Sequence, residues 1–471
     1  MNPVVKQLIA DRALLPQGWC NNVLLEWDEA GILTNVSRDA AEFALAPRVA
    51  AAVLPGITNL HSHAFQRAMA GLTEYRSQAQ AGFSDSFWSW RTLMYKFAGK
   101  LSPADLKAIA LQLYIEMLQA GYTSVCEFHY LHHDIGGKPY ADPAENLVCL
   151  IDAAQEAGIG LTLLPVLYQY SGFGAQAPHA GQARFINSPQ WIMAALQGLQ
   201  AAHPQHAGLR YGVAPHSLRA VSPQSLQAML DQLRQWDAQA PVHIHIAEQT
   251  KEVDDCVAAL GARPVAWLLD HVEVDRHWCL VHATHMNADE TVRLARSGAV
   301  AGICPTTEAN LGDGFFNGVD YAAAQGVWGI GSDSHVSTNA AEELRLLEYS
   351  QRLLHRQRNV LTGVAAPDGA ASVGAYLYRQ ALRGGAAASG RAVAGLQVGQ
   401  RADLLVLDPH HADQAGKQGD QQLDSFVFCQ HGASPVRDVM VGGHWVIRDH
   451  RHGLQESSAR AYGDTLKGLL D

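Results

Sequence analysis

The chain has 471 residues, of which 48% are hydrophobic and 17% are charged, and its formal net charge at pH 7 is −11. This composition is typical of a folded protein with a large core and argues against a disordered chain. No apolar run approaches the roughly 18 residues that a membrane span needs. An acidic balance without a basic cluster argues against nucleic acid as a partner.

The cysteines and the length narrow the class of protein further. Seven cysteines without a CxxC pair do not indicate a disulfide framework, and the first residues lack the pattern of a signal peptide. We therefore expect a protein of the reducing cytoplasm. The length suits a large α/β barrel, which takes about 250 residues before insertions, with an appended domain.

The first part of the chain predicts short strands. Residues 18–54 include a hairpin whose turn is signalled by Glu29, Ala30 and Gly31. The segment "RVAAAVLPGITNL" then leads into an apolar strand that ends at His61 and His63. A long loop containing "FWSWR" follows, and loops of this length in compact domains are usually functional or disordered. Its aromatic residues argue against disorder.

Further along, apolar strands alternate with helices. Ser102 caps the first helix, Pro103 occupies its first position and Gly121 ends it. The strands that follow read "YTSVCEFHY", "GLTLLPVLY", "LRYGVAPHSLRAV", "PVHIHIAEQ", "WCLVHATHM", "AVAGICPTTEAN" and "VWGIGSDSH". With the strand before His61 they make eight. Such alternation indicates a parallel sheet covered by helices, and eight units predict a closed (β/α)8 TIM-like barrel.

The end of the chain returns to strand hairpins, in "GQRADLLVLDP" and "PVRDVMVGGHWVIRDHRH". We expect these to pack with the first strands as a small β-sandwich domain built from both chain ends. The predicted division gives residues 1–56 to the N-terminal part of the β domain and residues 57–375 to the catalytic barrel. Residues 376–471 form the C-terminal part of the β domain and a terminal segment.

Side chains that bind metals or carry protons collect at the C-terminal ends of the predicted barrel strands, where such barrels have their active sites. His61 and His63 are two residues apart in a strand, so their imidazoles point to one face. Neutral imidazole is the commonest metal ligand, although an isolated pair can also be two polar residues that close a strand. Later strand ends supply His243, His245, Glu248, His282, His285, Asp333 and His335.

A catalytic zinc site needs three or four nitrogen or oxygen ligands and an open position for water. His61, His63, one histidine of the fifth strand and Asp333 would supply that set. Because His243 and His245 share a face, alternation alone does not choose between them. The position nearer the strand end favours His245.

The chain resembles the amidohydrolase superfamily in four motifs that follow strands one, five, six and eight: "HSH", "HIAEQ", "VHATH" and "GSDSH". By that resemblance the metal ligands are His61, His63, His245 and Asp333. Glu248 is the proton shuttle, and His282 assists near the nucleophile. Strand four ends in "APHS" without a lysine, which disfavours the two-metal members that carbamylate a lysine there. We expect one divalent ion, with zinc as the default and iron or manganese as alternatives.

Within the superfamily, the chain is similar to the members that convert N-formimino-L-glutamate to N-formyl-L-glutamate and ammonia in histidine degradation. The segments that carry this resemblance are "NLHSHAFQRAMAGLTE", "FWSWRTLMY", "CEFHYLHHD", "APHSLRAV" and "CPTTEANLGDG". It implies that the substrate pocket is lined by Gln66, Arg91, Tyr130, His216 and Arg219, and homodimers are common among such members. Two guanidinium groups suit a substrate with two carboxylates.

Other interpretations stay open at this stage. Glu248 could be a helix-start charge, His282 a core histidine and Asp333 a helix cap. The enzyme could instead be a related deaminase of a nucleobase or another small amidine-like substrate, which would need stacking aromatic residues and amide contacts. A catalytically inactive barrel that serves as a scaffold would require the loss of ligands, and none is missing. The sequence assigns no role to Glu127, His129, His285, Glu308 and His335.

Overall fold

The computed structural model of the protein describes residues 6–38, 46–74, 87–362, 372–429 and 432–470. Residues 75–86, in the middle of the predicted long loop, lie outside these ranges. The chain begins with four strands: β1 (Lys6–Leu15), β2 (Gly18–Trp27), β3 (Leu33–Ser37) and β4 (Arg48–Pro55). The predicted hairpin is present as β2 and β3, which pair antiparallel on either side of the Gly31 turn.

The next strands form the barrel. They are β5 (Ile57–Ser62), β6 (Tyr122–His129), β7 (Gly160–Leu167), β8 (Leu209–Tyr211), β9 (Ala214–Pro215), β10 (Val242–Ile246), β11 (Trp278–His282), β12 (Val300–Ile303) and β13 (Val327–Ile330). All pairings among them are parallel, with β8 and β9 together occupying the fourth position. Parallel bridges from Val213 to Val242 and from Ser62 to Asp333 join the two halves. The predicted (β/α)8 barrel is therefore confirmed.

Helices cover this barrel from outside. They are α1 (Phe87–Ala98), α2 (Pro103–Gln119), α3 (Glu145–Ala157), α4 (Pro189–Ala202), α5 (Pro223–Trp236), α6 (Thr250–Leu260), α7 (Pro264–His271), α8 (Ala288–Ser297), α9 (Pro305–Leu311), α10 (Gly318–Ala323), α11 (Ala340–His355) and α12 (Val373–Ser389). The predicted starts are present: Ser102 and Asp105 form a capping box, and Asn287 pairs in the same way with Glu290. None of the helices within the described ranges is long and apolar enough to cross a membrane.

The last part of the chain completes the β domain. It contains β14 (Leu404–Leu407), α13 (Asp420–Phe428), β15 (Val436–Val441), β16 (His444–Arg448), β17 (Arg451–His452) and α14 (Gln455–Leu470). The strands from both chain ends form one sheet in the order β17-β16-β15-β14-β4-β1-β2-β3. The start of β3 also meets the segment before β14, since Leu33 N donates to Gln400 O at 2.8 Å. The predicted domain from both ends is present, as one sheet that folds back on itself.

Helix α12 crosses the predicted domain boundary between residues 375 and 376 and packs against β5, β12 and β13 of the barrel. Two glycines, Gly384 and Gly385, let its backbone approach the strands closely. A Cβ at Gly384 would lie 1.9 Å from the carbonyl oxygen of Trp328, and one at Gly385 would lie 2.8 Å from the Cβ of Thr58. Because this helix contributes to the barrel core, we propose that the barrel unit extends through Ser389.

This close approach gives a stability prediction. We expect Gly384→Ala to lower the free energy of unfolding by about 1–3 kcal/mol, because the added methyl group forces α12 away from β13. The measurement is the thermal unfolding midpoint. Gly463→Ala in α14 is the matched control, because nothing lies within 4 Å of a Cβ there, and helix propensity predicts a gain of about 0.5–1 kcal/mol. An unchanged midpoint for Gly384→Ala would show that α12 can shift at no cost.

Candidate active site

Four side chains that can bind a metal converge at the C-terminal end of the barrel. They are His61, His63, His245 and Asp333, all buried, and one ligand atom from each lies within 4.8 Å of the others. The barrel's own hydrogen bonds bring two of the chain segments together, because Asp333 N donates to His61 O at 3.0 Å and His63 N donates to Asp333 O at 3.2 Å. The strand pairing that closes the barrel thus also builds this site.

The backbone is strained where the strands end at this site. Ala247, His282 and Asp333 have φ angles of 51°, 68° and 48°, in the left-handed region that non-glycine residues rarely adopt. Such conformations cost free energy and persist where the surrounding structure enforces them, often at functional sites. Three strand ends therefore adopt an unfavourable backbone around one group of polar side chains.

The histidine tautomers follow from two contacts with carbonyl groups. His63 donates from Nδ1 to Phe128 O at 2.7 Å, and His245 donates from Nδ1 to His216 O at 3.1 Å. Burial lowers the pKa of both imidazoles, so each is neutral and presents a lone pair at Nε2. These two Nε2 atoms lie only 3.3 Å apart. Two lone pairs at this distance repel each other unless a cation lies between them, so the donor set fits a divalent metal ion.

Asp333 adds the negative charge that such an ion needs. Burial alone would raise the pKa of its carboxyl group, but His61, His63 and His282 lower it below the usual range. Its Oδ1 lies 3.4 Å from His61 Nε2 and 3.3 Å from His63 Nε2. Its other oxygen, Oδ2, lies 3.8 Å from His282 Nε2. One carboxylate therefore faces the imidazole pair with one oxygen and a third histidine with the other.

His282 sits among three carboxylates. Its Nδ1 lies 3.2 Å from Glu308 Oε1, and its Nε2 lies 3.8 Å from Glu248 Oε1. Burial lowers the pKa of His282, but Glu248, Glu308 and Asp333 together raise it to about 10. Burial raises the pKa of Glu248 to about 7. The three carboxylates thus favour the protonated form of His282, and burial favours the neutral form of Glu248.

A second group, His282, Cys304 and Glu308, also has the composition of a metal site. Burial raises the pKa of the Cys304 thiol well above its usual value, so the thiolate that a metal requires is disfavoured. The Glu308 Oε1 atom already accepts a hydrogen bond from Cys304 N at 2.9 Å. Glu308 therefore orients the His282 ring through Nδ1, and the Nε2 atom of the ring faces Glu248 and Asp333.

Glu127 and His335, to which the sequence assigns no role, stabilise the "HSH" segment. Glu127 accepts hydrogen bonds from Ser62 Oγ at 2.6 Å and from Ala64 N at 2.7 Å. His335 contacts Ser62 Oγ through Nε2 at 3.0 Å and Ser332 Oγ through Nδ1 at 2.9 Å. These contacts fix the backbone on both sides of the histidine pair.

His243, which shares a strand face with His245, contacts the other end of the barrel. Its Nε2 donates to Ala388 O in α12 at 2.8 Å, one layer below the metal-binding group. His129 is likewise occupied, since its Nε2 donates to Leu131 O at 2.9 Å. The structure thus places His245, and not His243, beside His61 and His63.

A cavity opens from this group toward the surface and contains about 510 Å³ of free space, including its mouth. All five residues that the sequence assigns to the substrate pocket line it: Gln66, Arg91, Tyr130, His216 and Arg219. The other residues of the wall that the sequence did not single out are Trp90, Met94, Tyr95, Tyr168, Phe185 and Leu311. Of these, Tyr168 could have been predicted from the sequence, because it directly follows a barrel strand and therefore lies at the end of the barrel that carries the site. Phe185 lies in the loop after that strand, and no sequence pattern marks it as part of the cavity wall.

The far end of the cavity is positively charged. Burial lowers the pKa of Arg91, and the nearby positive charge of Arg219 lowers it further. The Nη1 atom of Arg219 is buried and has no hydrogen-bond partner within the described part of the chain. Nearby, Gln66 Nε2 donates to Tyr130 Oη at 2.7 Å. A buried guanidinium group without an acceptor is costly, so this end of the cavity suits an anionic ligand.

Comparisons with known proteins agree with this description. The amidohydrolase family model matches residues 52–446. The chain is similar to formimidoylglutamate deiminase of Pseudomonas aeruginosa, with 53% identity over 468 residues, 98% of this chain and 99% of that protein. The crystal structure of an amidohydrolase from Brucella melitensis has a TM-score of 0.91 and 47% identity over 99% of this chain and 100% of its own. An adenosine deaminase from Xanthomonas campestris with bound zinc shares the fold, with a TM-score of 0.77 and 20% identity over 98% of each chain.

Proposed function

Because the chain belongs to the amidohydrolase family, we propose that it is a metal-dependent hydrolase that converts N-formimino-L-glutamate to N-formyl-L-glutamate and ammonia. The reaction is a step of histidine degradation. The observation that carries the proposal is one cavity that joins a metal-binding group to two arginines, the buried Arg219 and the half-buried Arg91. The 53% identity to a formimidoylglutamate deiminase supports the same substrate.

The arginines of the cavity match the dicarboxylate part of this substrate. Arg91 and Arg219 line the same cavity as the metal-binding His63, His245 and Asp333. The two carboxylates of the glutamate part suit the arginines, since guanidinium groups bind carboxylates with paired hydrogen bonds. A neutral nucleobase offers no carboxylate to these arginines.

We propose that the metal is held by His61, His63, His245 and Asp333, and that it is a single zinc ion. Support comes from the donor set of three imidazoles and one carboxylate and from the zinc bound by the related adenosine deaminase. When bound, the ion supplies Lewis acidity that lowers the pKa of a water nucleophile toward 7. His63 and His245 keep their Nε2 atoms directed at the site through the Nδ1 contacts with carbonyl groups.

The proton transfers are assigned to three side chains. We propose that Asp333 accepts a proton from the attacking water at Oδ2, the oxygen that faces His282. The water oxygen bonds to the formimino carbon, and Glu248 delivers a proton to the nitrogen that leaves as ammonia. The raised pKa of Glu248, about 7, suits a group that must both hold and release a proton near neutral pH. His282, whose Nε2 atom lies 3.8 Å from Asp333 Oδ2, orients the attacking oxygen.

Two further parts of the proposal concern where the enzyme works and in what form. The seven cysteines are free thiols, which is compatible with the reducing cytoplasm that we propose as its location. We propose a homodimer, as is common among such members of the family. Exposed apolar side chains on α11, Leu353 and Leu354 among them, are a candidate contact between two copies.

Substrate choice is the most direct test. We expect Arg219→Met to lower kcat/KM for N-formimino-L-glutamate by roughly 30- to several thousand-fold, because breaking a desolvated charge pair costs about 2–5 kcal/mol. Arg91→Met should act in the same direction. Both variants should keep stoichiometric metal, since neither side chain is a ligand. The measurement is ammonia release from N-formimino-L-glutamate and from its side-chain amide analogue.

The control is Arg234→Met, in which the lost guanidinium is an exposed one that pairs with Glu273; its kinetics should be unchanged. A wild-type enzyme that does not prefer the dicarboxylate would contradict the glutamate assignment. So would a preference that survives in both arginine variants. A screen of nucleobases and other small amidines would then identify the activity of a related deaminase.

A further inference from the structure

We propose that Tyr168 donates its phenolic hydrogen to a carboxylate of the substrate beside Arg219, and that Gln182 is a positioning residue that fixes this orientation. The inference rests on the proposed function, because it concerns how the same cavity recognises a dicarboxylate. Neither residue belongs to the substrate-binding set that the sequence predicts. Tyr168 directly follows β7, and Gln182 ends a short 3-10 helix, Ala180–Gln182, in the loop that follows.

The amide of Gln182 has a defined orientation. Its side chain is fully buried, and its Oε1 accepts a hydrogen bond from His179 N at 3.1 Å. Because that oxygen faces a backbone donor, the amide nitrogen must point the other way. Nε2 donates to Tyr168 Oη at 2.8 Å and to Tyr95 Oη at 3.3 Å. One buried amide group therefore uses both of its hydrogens on two phenolic oxygens of the cavity wall.

This arrangement decides what the phenol of Tyr168 can offer. A hydroxyl oxygen that accepts a hydrogen bond from Nε2 must direct its own hydrogen elsewhere, because the amide nitrogen has no lone pair to receive it. Tyr168 and Arg219 both line the cavity, and both lie near His216: the ring centroids of Tyr168 and His216 are 4.5 Å apart, and burial and the Arg219 charge both lower the pKa of His216. The guanidinium group is also only a donor. Two donors that line one cavity suit an acceptor within it, and a carboxylate supplies one.

Packing and a backbone hydrogen bond also hold the ring of Tyr168 in place. It packs edge-on against His216, with ring centroids 4.5 Å apart, and its backbone pairs with Asn187, whose N donates to Tyr168 O at 3.0 Å. The phenol is only 2% exposed. A donor fixed in this way loses little conformational freedom when the substrate binds. The tyrosine therefore favours anions over neutral groups at low entropic cost.

Gln182 also has backbone contacts that a purely structural role would explain. Its N donates to His179 O, and its O accepts from Phe185 N, both at 2.9 Å. These bonds need no particular side chain, but the Oε1 contact with His179 N also caps the turn, so some loss of stability is expected from any change that removes this oxygen. A structural role predicts a loss of stability without a change in substrate preference, and a positioning role predicts that the preference changes. The experiment separates these outcomes.

The first variant is Tyr168→Phe, which removes only the hydroxyl group. We expect kcat/KM for N-formimino-L-glutamate to fall by roughly 10- to 100-fold, the size of a hydrogen bond to a charged group, and mainly through KM. The side-chain amide analogue should be affected much less, and bound metal should stay stoichiometric. Tyr170→Phe is the matched control, because Tyr170 lies two residues further along the same segment and does not line the cavity; its kinetics should match the wild type.

The second variant is Gln182→Met, which keeps the length of the side chain and removes both the Nε2 donor and the Oε1 acceptor of His179 N. We expect a smaller loss of preference for the dicarboxylate, and we expect that loss to disappear when residue 168 is already phenylalanine. Such non-additivity shows that Gln182 acts through Tyr168. Equal losses for both substrates together with a lower thermal midpoint would overturn the positioning role.

The outcomes also separate this inference from the proposed function. If the wild-type enzyme prefers N-formimino-L-glutamate over the amide analogue and Tyr168→Phe keeps that preference in full, the inference is wrong and the proposed function stands. If the wild-type enzyme has no such preference, both are wrong. A selective loss in Tyr168→Phe, with metal retained, supports both.

Discussion

Turnover of N-formimino-L-glutamate is expected to fall by roughly 10²- to 10⁴-fold in Glu248→Gln, the range over which general acid–base groups contribute. Glutamine keeps the shape of the side chain but can neither hold nor release a proton at this position. Glu248 is buried, 3.8 Å from His282, and burial raises its pKa to about 7. Since the carboxyl group is proposed to protonate the leaving nitrogen, its loss should lower kcat much more than it changes KM.

The measurement combines steady-state kinetics with metal analysis of the purified variant. We expect stoichiometric metal and an unchanged thermal midpoint, because Glu248 is not one of the four proposed ligands. Glu273→Gln is the control; its carboxylate is exposed and pairs with an exposed arginine, Arg234. A fall in turnover of less than about tenfold would mean that Glu248 is only a helix-start charge.

His61→Ala should lose both bound metal and activity. His61 is fully buried, with its Nε2 atom 3.0 Å from His245 Nε2 and 3.4 Å from Asp333 Oδ1. Removing it leaves two imidazoles and one carboxylate around a void. Residues that only orient a ligand typically cost about 10- to 100-fold in affinity or activity when changed, so the loss of a ligand itself should exceed that range.

His243→Gln is the matched control for this variant. It changes a histidine of the same strand as His245, on the same face but one layer deeper, where its Nε2 donates to Ala388 O. Glutamine can donate the same hydrogen bond, so we expect stoichiometric metal. Metal content is read by elemental analysis, and activity is compared after removing the metal with a chelator and adding zinc back. A His61→Ala protein with full activity would show that the metal is held elsewhere.

Several features of this protein follow from local sequence. The alternation of apolar strands and helices predicts the barrel, because the hydrophobic repeat of a strand or a helix can be read from neighbouring residues alone. Ser102 and Asn287 mark helix starts for the same reason, since a cap contacts the backbone two or three residues away. The spacing of His61 and His63 places both imidazoles on one face. The position of Asp333 directly after a strand predicts the end of the barrel at which it lies.

Other features depend on which distant segments meet, and no local pattern contains that information. Alternation gives His243 and His245 the same face, and only the depth of each in the closed barrel separates a contact with α12 from the metal-binding group. Glu127 has no readable role until β6 lies beside β5 and its carboxylate reaches Ser62. The sheet of the β domain is one rather than two because β14 pairs antiparallel with β4, which brings together Leu404 and Pro55 from the two ends of the chain.

The recognition end of the cavity shows the same limit. Arg91 and Arg219 could be assigned to a pocket by resemblance, but their closeness and the buried Nη1 of Arg219 appear only in the folded chain. Gln182 carries no signal in the sequence, because nothing nearby distinguishes a glutamine that orients two tyrosines from one on the surface. Local sequence thus determined the barrel and the type of chemistry at its strand ends. Tertiary packing decided which side chains meet, because hydrogen bonds and burial join residues that chain order keeps far apart.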